Sequence, residues 1–193
     1  MCRKLTCLAG AWLVLGALVQ PALAHPGHGG HTLADGLAHP LGWDHLLAMI
    51  AVGLLAVRMG GRWLALLPAV FVGSMLAGGL LATAGVSLPL VEPAIAASVL
   101  VLGLLVAASW RLTPAAALGL VAAFAMFHGY AHILEGAWSN YAAGFVLATA
   151  ALHTVGVLGG LALVHLAERS ALRWLGGAIS VVGASLLALV TVL

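Results

Sequence analysis

Phe127-His128-Gly129-Tyr130-Ala131-His132-Ile133-Leu134-Glu135 closes an apolar run that begins near Ala115. Titratable side chains are costly within a bilayer, so two imidazoles and a carboxylate there point to function. Spaced i, i+4 and i+7, His128, His132 and Glu135 share one face of a helix. That stripe suits a divalent metal ion, since imidazole and carboxylate are metal donors. The order is H-x-x-x-H-x-x-E, so the H-E-x-x-H signature of metalloproteases is absent. A second cluster, His39-Pro40-Leu41-Gly42-Trp43-Asp44-His45, opens another apolar run that continues through Met49.

Outward from these clusters the chain is uniformly apolar. Of its 193 residues, 64% are hydrophobic and 6% charged, against about 25% charged in a soluble domain. Runs of about 20 apolar residues recur, each long enough to cross a hydrocarbon core. A membrane β-barrel needs alternating polar and apolar positions, and the sequence has no such pattern over useful lengths. The fold class is therefore all-α, a polytopic six-transmembrane-helix bundle. The spans are predicted at His39–Val57, Trp63–Ala84, Pro93–Ser109, Ala115–Leu134, Tyr141–Val164 and Trp174–Leu193. Glycines and serines along them favour close helix approach and a tight bundle rather than a wide pore.

Residues 1–24 read as a signal peptide. Arg3 and Lys4 form its basic start, Leu8 to Leu18 its apolar stretch, and Ala22-Leu23-Ala24 its cleavage signal. Residues 25–193 are then one permease-like domain, with a short His/Gly-rich periplasmic segment at 25–38. Both cysteines, Cys2 and Cys7, fall in the leader, so the mature chain is expected to have no thiolate site. Cleavage leaves five arginines against five acids. That balance offers no nucleic-acid-binding surface.

Cleavage also puts the mature N-terminus outside. Arg58, Arg62, Arg111, Arg169 and Arg173 then all lie in inner loops, as the positive-inside rule requires. The first span descends from the outer face with its cluster at its start. The fourth rises to that face with its cluster at its end. At 1.5 Å per residue both clusters occupy roughly the outer 10 Å. Splitting the spans three and three gives halves of opposite topology, an arrangement some transporters use, although the halves show no convincing sequence similarity.

Asp44 is placed to supply a ligand or to orient His45. Met49 reads as packing. His153, 12 residues past Tyr141, stands about 18 Å into its span, near the midplane. There it serves either an ion route or an interhelical hydrogen bond. Glu92, at the outer end of the third span, either adds a carboxylate to the mouth or favours its helix N-terminus.

At these residues the chain resembles the HupE/UreJ family of membrane proteins, associated with nickel uptake for hydrogenases and ureases. The family's first-span motif is His, five residues, then Asp-His; here four residues separate His39 from Asp44. Its fourth-span motif reads Phe-His-Gly-x-Ala-His-Gly-x-Glu, and here Ile133 stands where the family has glycine. The resemblance covers nearly the whole chain after the leader. It implies a secondary permease of the bacterial inner membrane that takes up Ni²⁺, or Co²⁺, from the periplasm for hydrogenase or urease maturation. Asp44, His45, His128, His132 and Glu135 would form the outer site, with His39 and Glu92 as auxiliaries and His153 further along the route. Imidazole nitrogens favour nickel or cobalt over magnesium or calcium.

Two other readings stay open: a haem-binding membrane redox protein with paired axial histidines, and a metal-binding assembly factor that does not transport. No nucleophile arrangement suggests an enzyme, and no tightly bound cofactor is expected. No phosphate-binding loop of the G-x-x-x-x-G-K-[ST] type is present, so no nucleotide is expected either. The partners are the metal ion and the lipid bilayer; a homo-oligomer is compatible with this reading.

Overall fold

Among the described residues, six helices of 17 or more residues follow one another, and turn chemistry sets their ends. A computed structural model describes residues 32–108, 112–133, 140–166 and 169–192. The leader with its cysteines, the histidines at 25, 28 and 31, Arg111 and Glu135 lie outside the described residues. Every element among those residues is helical: α1 (Leu33–Ala38), a 3₁₀ turn (His39–Leu41), α2 (Trp43–Met59), α3 (Trp63–Thr83), α4 (Val91–Ala107), α5 (Pro114–Ile133), α6 (Asn140–Leu166) and α7 (Arg169–Val192). Helices α3, α5, α6 and α7 are each long and apolar enough to cross a membrane. A fifth span results if α1, the 3₁₀ turn and α2, bent by 79°, count as one. At 17 residues, α4 is apolar but shorter.

Two glycines turn α2 into α3. Gly60 and Gly61 both have positive φ, 69° and 55°, which glycine adopts without steric cost. Pro114 begins α5, where its missing N–H is no loss. The short α1 is an addition to the predicted architecture. Its capping box joins Thr32 and Asp35: the Asp35 amide donates to Thr32 Oγ1, and the Thr32 amide to Asp35 Oδ2, both at 3.2 Å. Two reciprocal caps are enough to start a helix in a segment that lacks hydrophobic periodicity.

The main pairings are α4 with α7, α3 with α5, and α2 with α6, and α1 lies on α6. This pattern maps onto itself when the first three long helices are exchanged with the last three. Glycines set the closest approaches. A Cβ on Gly53 of α2 would meet the His153 carbonyl oxygen of α6 at 2.6 Å and Gly156 Cα at 2.8 Å. On the other flank, Gly129 of α5 lies on the Met75 carbonyl of α3, and Gly78 of α3 on that of Met126. Backbones this close exclude any larger residue and draw four helices around one axis.

The core lies along α2. Ala48, Met49, Ala51, Val52, Leu54 and Ala56 are buried against Leu67, Phe71, Met75, Val99, Leu102 and Phe145. Met49 is thus packing. At the far end of α2, Arg58 reaches across to α4. Its guanidinium donates to the carbonyls of Leu105 (3.2 Å), Val106 and Ala108. A cation is well placed there, because the last carbonyls of a helix have no amide partners and carry the negative end of its dipole.

Candidate metal centre

The start of α2 and the end of α5 lie at the same end of the bundle, and their imidazoles meet. His45 and His128 are fully buried. His128 Nδ1 lies 2.9 Å from His45 Nε2, and the rings stand edge-on with centroids 4.2 Å apart. His132, one turn beyond His128, lies 4.3 Å from His45 by ring centroid. His39 completes the group, its Nε2 2.6 Å from His132 Nδ1. Four histidines, drawn from the 3₁₀ turn, α2 and α5, form a connected row, His39 to His132 to His45 to His128.

The 3₁₀ turn explains how His39 arrives despite the shortened spacing. In a continuous helix, one missing residue would rotate it by about 100°. Here α2 starts only at Trp43 and the chain before it turns by 79°, so the helical register does not bind His39. Helix α1 holds the turn in place through Gly36, which lies on the Tyr141 carbonyl, and Gly144, which lies on that of Leu33.

Ser98, on α4, was not singled out by the sequence, yet it orients His128. Its hydroxyl, fully buried, lies 2.7 Å from the Ile95 carbonyl and 2.9 Å from His128 Nε2. A hydroxyl has one proton to give. With that proton on the Ile95 carbonyl, Ser98 Oγ accepts from His128 Nε2–H. In this arrangement the His128 lone pair is on Nδ1, directed into the cluster, and His45 Nε2–H is its donor. His45 Nδ1 is then a lone-pair nitrogen, 3.9 Å from Asp44 Oδ1. That carboxylate oxygen accepts the His45 amide at 2.8 Å. Two electron-rich atoms facing each other form a natural seat for a cation. His132 Nε2 is buried without a hydrogen-bond partner, and an unpaired acceptor is tolerated there more readily than an unpaired N–H. It too presents a lone pair.

Among the described residues, no group of three or more His, Cys, Asp or Glu side chains stands ready-made for a metal ion. The distances explain why. Metal–nitrogen bonds of about 2.0–2.1 Å separate tetrahedral donors by about 3.3 Å, whereas the imidazoles here are 2.6 and 2.9 Å apart. They are hydrogen-bonded to one another. For these nitrogens to hold an ion, it would have to take the place of the shared protons and part the rings by about half an ångström.

Aromatic side chains wall the cluster. Phe145 of α6 lies 5.5 Å from His45 and 5.8 Å from His132 by ring centroid. Phe71 of α3 lies 5.7 Å from His128 and 5.0 Å from His153. His153 is therefore apart from the four, linked to them through Phe71. Glu92 is exposed in the first turn of α4, about 9 Å of helix rise from Ser98.

A family model for HupE/UreJ proteins matches residues 13–186. The chain belongs to the HupE/UreJ family. It is also 45% identical over 184 residues to Protein HupE of Rhizobium leguminosarum bv. viciae, covering 90% of this chain and 94% of that protein. No solved structure matches the chain. For this HupE/UreJ protein, the first-span and fourth-span motifs coincide with the four-histidine cluster, His39 included.

Proposed function

We propose that this chain is a six-span permease that carries Ni²⁺, or Co²⁺, inward across the bacterial inner membrane, after cleavage of residues 1–24 leaves its N-terminus in the periplasm. The cargo supplies hydrogenase or urease maturation. Asp44, His45, His128 and His132 form the outer site together with Glu135, three residues beyond His132 in the sequence. His39 and Glu92 assist, and His153 belongs to the inward route.

The observation that carries this reading is the convergence of four imidazoles from two distant stretches of sequence, one of them with an orphaned buried nitrogen. Nitrogen donors suit late first-row ions, and carboxylates offset the charge of an ion losing its water. The positions of Arg58 and Arg62 at the opposite end of α2 support the orientation. The short α4 fits a span whose ends lie in the headgroup region, where a bilayer adjusts at modest cost.

The test is uptake into proteoliposomes holding the purified chain, with Ni²⁺, Co²⁺ and Zn²⁺ offered in parallel. Uptake of Ni²⁺ that disappears in Asp44→Ala/His128→Ala supports the site. Undiminished uptake in that double variant rejects it. Binding without flux in the wild-type chain would instead identify an assembly factor.

A further inference from the structure

On the far side of Phe71 from the cluster lies a groove. It runs between α3 and α6 and holds an open space of about 610 Å³, lined by Leu64, Pro68 and Val72 of α3 and by Ala150, His153 and Thr154 of α6, among others. These α3 residues fall in the half of the helix next to the Gly60-Gly61 turn, at the opposite end of the bundle from the cluster. The lining is mostly apolar, so its polar atoms are informative.

His153 is only 1% exposed, and neither ring nitrogen has a hydrogen-bond partner. An imidazole always carries at least one N–H, and leaving it unpaired away from water costs about 1–3 kcal/mol. Both nitrogens are enclosed as they stand, so a partner from the groove reaches the ring only when its neighbours, Phe71 among them, move aside. The α6 backbone at His153 rests against Gly53, while its ring stands edge-on to Phe71.

Pro68 makes a second polar feature independently. It lies inside α3 and has no N–H, so the Leu64 carbonyl has no amide at i+4 to accept from. Leu64 and Pro68 both line the groove. A residue with a freed carbonyl and a residue with an unpartnered imidazole thus both line one groove, whose volume is ample for a hydrated ion. Two acceptor types and no carboxylate make a weak cation site, and weak binding is what release requires.

We propose that this groove is a second cation station, where His153 and the Leu64 carbonyl receive the divalent ion after it passes Phe71 and release it toward the Gly60-Gly61 end of the bundle. The proposal rests on the permease reading and deepens it. Phe71, fully buried and in ring contact with both His128 and His153, separates the two stations. Rotation of its ring is the movement that connects them.

The experiment compares His153→Ala and His153→Gln with the wild-type chain, by equilibrium Ni²⁺ binding in detergent and by Ni²⁺ uptake into proteoliposomes. Both variants are expected to bind Ni²⁺ within about twofold of wild type and to lose uptake by about tenfold or more, because the outer cluster is intact and the route is broken. Wild-type uptake in both variants overturns the second station while leaving the outer site standing. Failure of the wild-type chain to bind Ni²⁺ overturns the permease reading itself and this inference with it.

A labelling measurement keeps the question decidable should the His153 variants misfold. Ala69→Cys, in a full chain with Cys2 and Cys7 changed to Ser, places a thiol in the groove. It is expected to react with a charged, water-soluble maleimide and to be protected by Ni²⁺. Reaction only with a membrane-partitioning maleimide, or no protection, means that lipid fills the groove and overturns the proposal.

Discussion

Replacing Ser98 with alanine removes one oxygen atom, and its consequence can be followed through the cluster. Ser98 Oγ is the acceptor that holds the proton of His128 on Nε2. Without it that N–H is buried and unpaired, at a cost of about 1–3 kcal/mol. The ring escapes part of this cost by moving its proton to Nδ1, the nitrogen that faces His45 Nε2 at 2.9 Å. Two N–H groups then oppose each other, and His128 no longer offers a lone pair to an ion. Either outcome weakens metal binding through orientation alone. Loss of such an outer partner typically costs 10–100-fold in affinity, about 1.4–2.8 kcal/mol. Equilibrium dialysis of the purified protein against Ni²⁺ reads this directly. Ser180→Ala is the control: Ser180 is also buried, but its hydroxyl bonds the Gly176 carbonyl of its own helix at 2.8 Å, away from the cluster. Its Ni²⁺ affinity is expected to stay within about twofold of wild type. Ser98→Ala binding as tightly as Ser180→Ala would refute the tautomer assignment and the role of α4 in the site.

Three other outcomes follow from the packing and the donor set. Gly129→Ala drives a methyl group into the Met75 carbonyl of α3; it is expected to destabilise the fold by about 1–3 kcal/mol or more, seen as a lower Tm in detergent, and to weaken Ni²⁺ binding because His128 moves with the helix. Arg58→Met strips the end of α4 of its donor and is expected to cost about 1.5–3 kcal/mol in thermal stability; Arg58→Lys recovers part of this, and Ni²⁺ affinity at the distant cluster changes little. Binding of Ni²⁺ is expected to weaken on acidification, because protons compete for the ligating nitrogens; a titration showing tighter binding in acid than at neutral pH would argue against histidine ligation.

The helices and their breaks were legible because each element carries its own signal, although four of them, or five with the bent pair, are long and apolar enough to span a membrane against the six expected. Length in apolar residues marks the span, and Gly60-Gly61 and Thr113-Pro114 mark the stops. The meeting of His45 with His128 was legible too, since arginine placement put both clusters at one depth. Helix α1 was not, because six residues held by a capping box show no periodicity. Ser98 and Phe71 were hidden for a different reason. A serine bonded to its own helix and a phenylalanine in a core are ordinary in apolar spans. Their roles arise from α4 and α3 meeting α5, and helix pairing leaves no mark in a single sequence. His39 was the instructive case: counting residues along a helix cast doubt on it, and a turn that is not α-helical places it against His132.

The three main pairings all join the first half of the molecule to the second. A ribosome delivers α2, α3 and α4 before any of their chief companions exists. His45 and Asp44 thus wait in the membrane without His128 and His132 packed beside them. Assembly is therefore a late event in biosynthesis. A truncated chain ending before α5 would present lone polar groups to lipid, the kind of defect that membrane quality control removes.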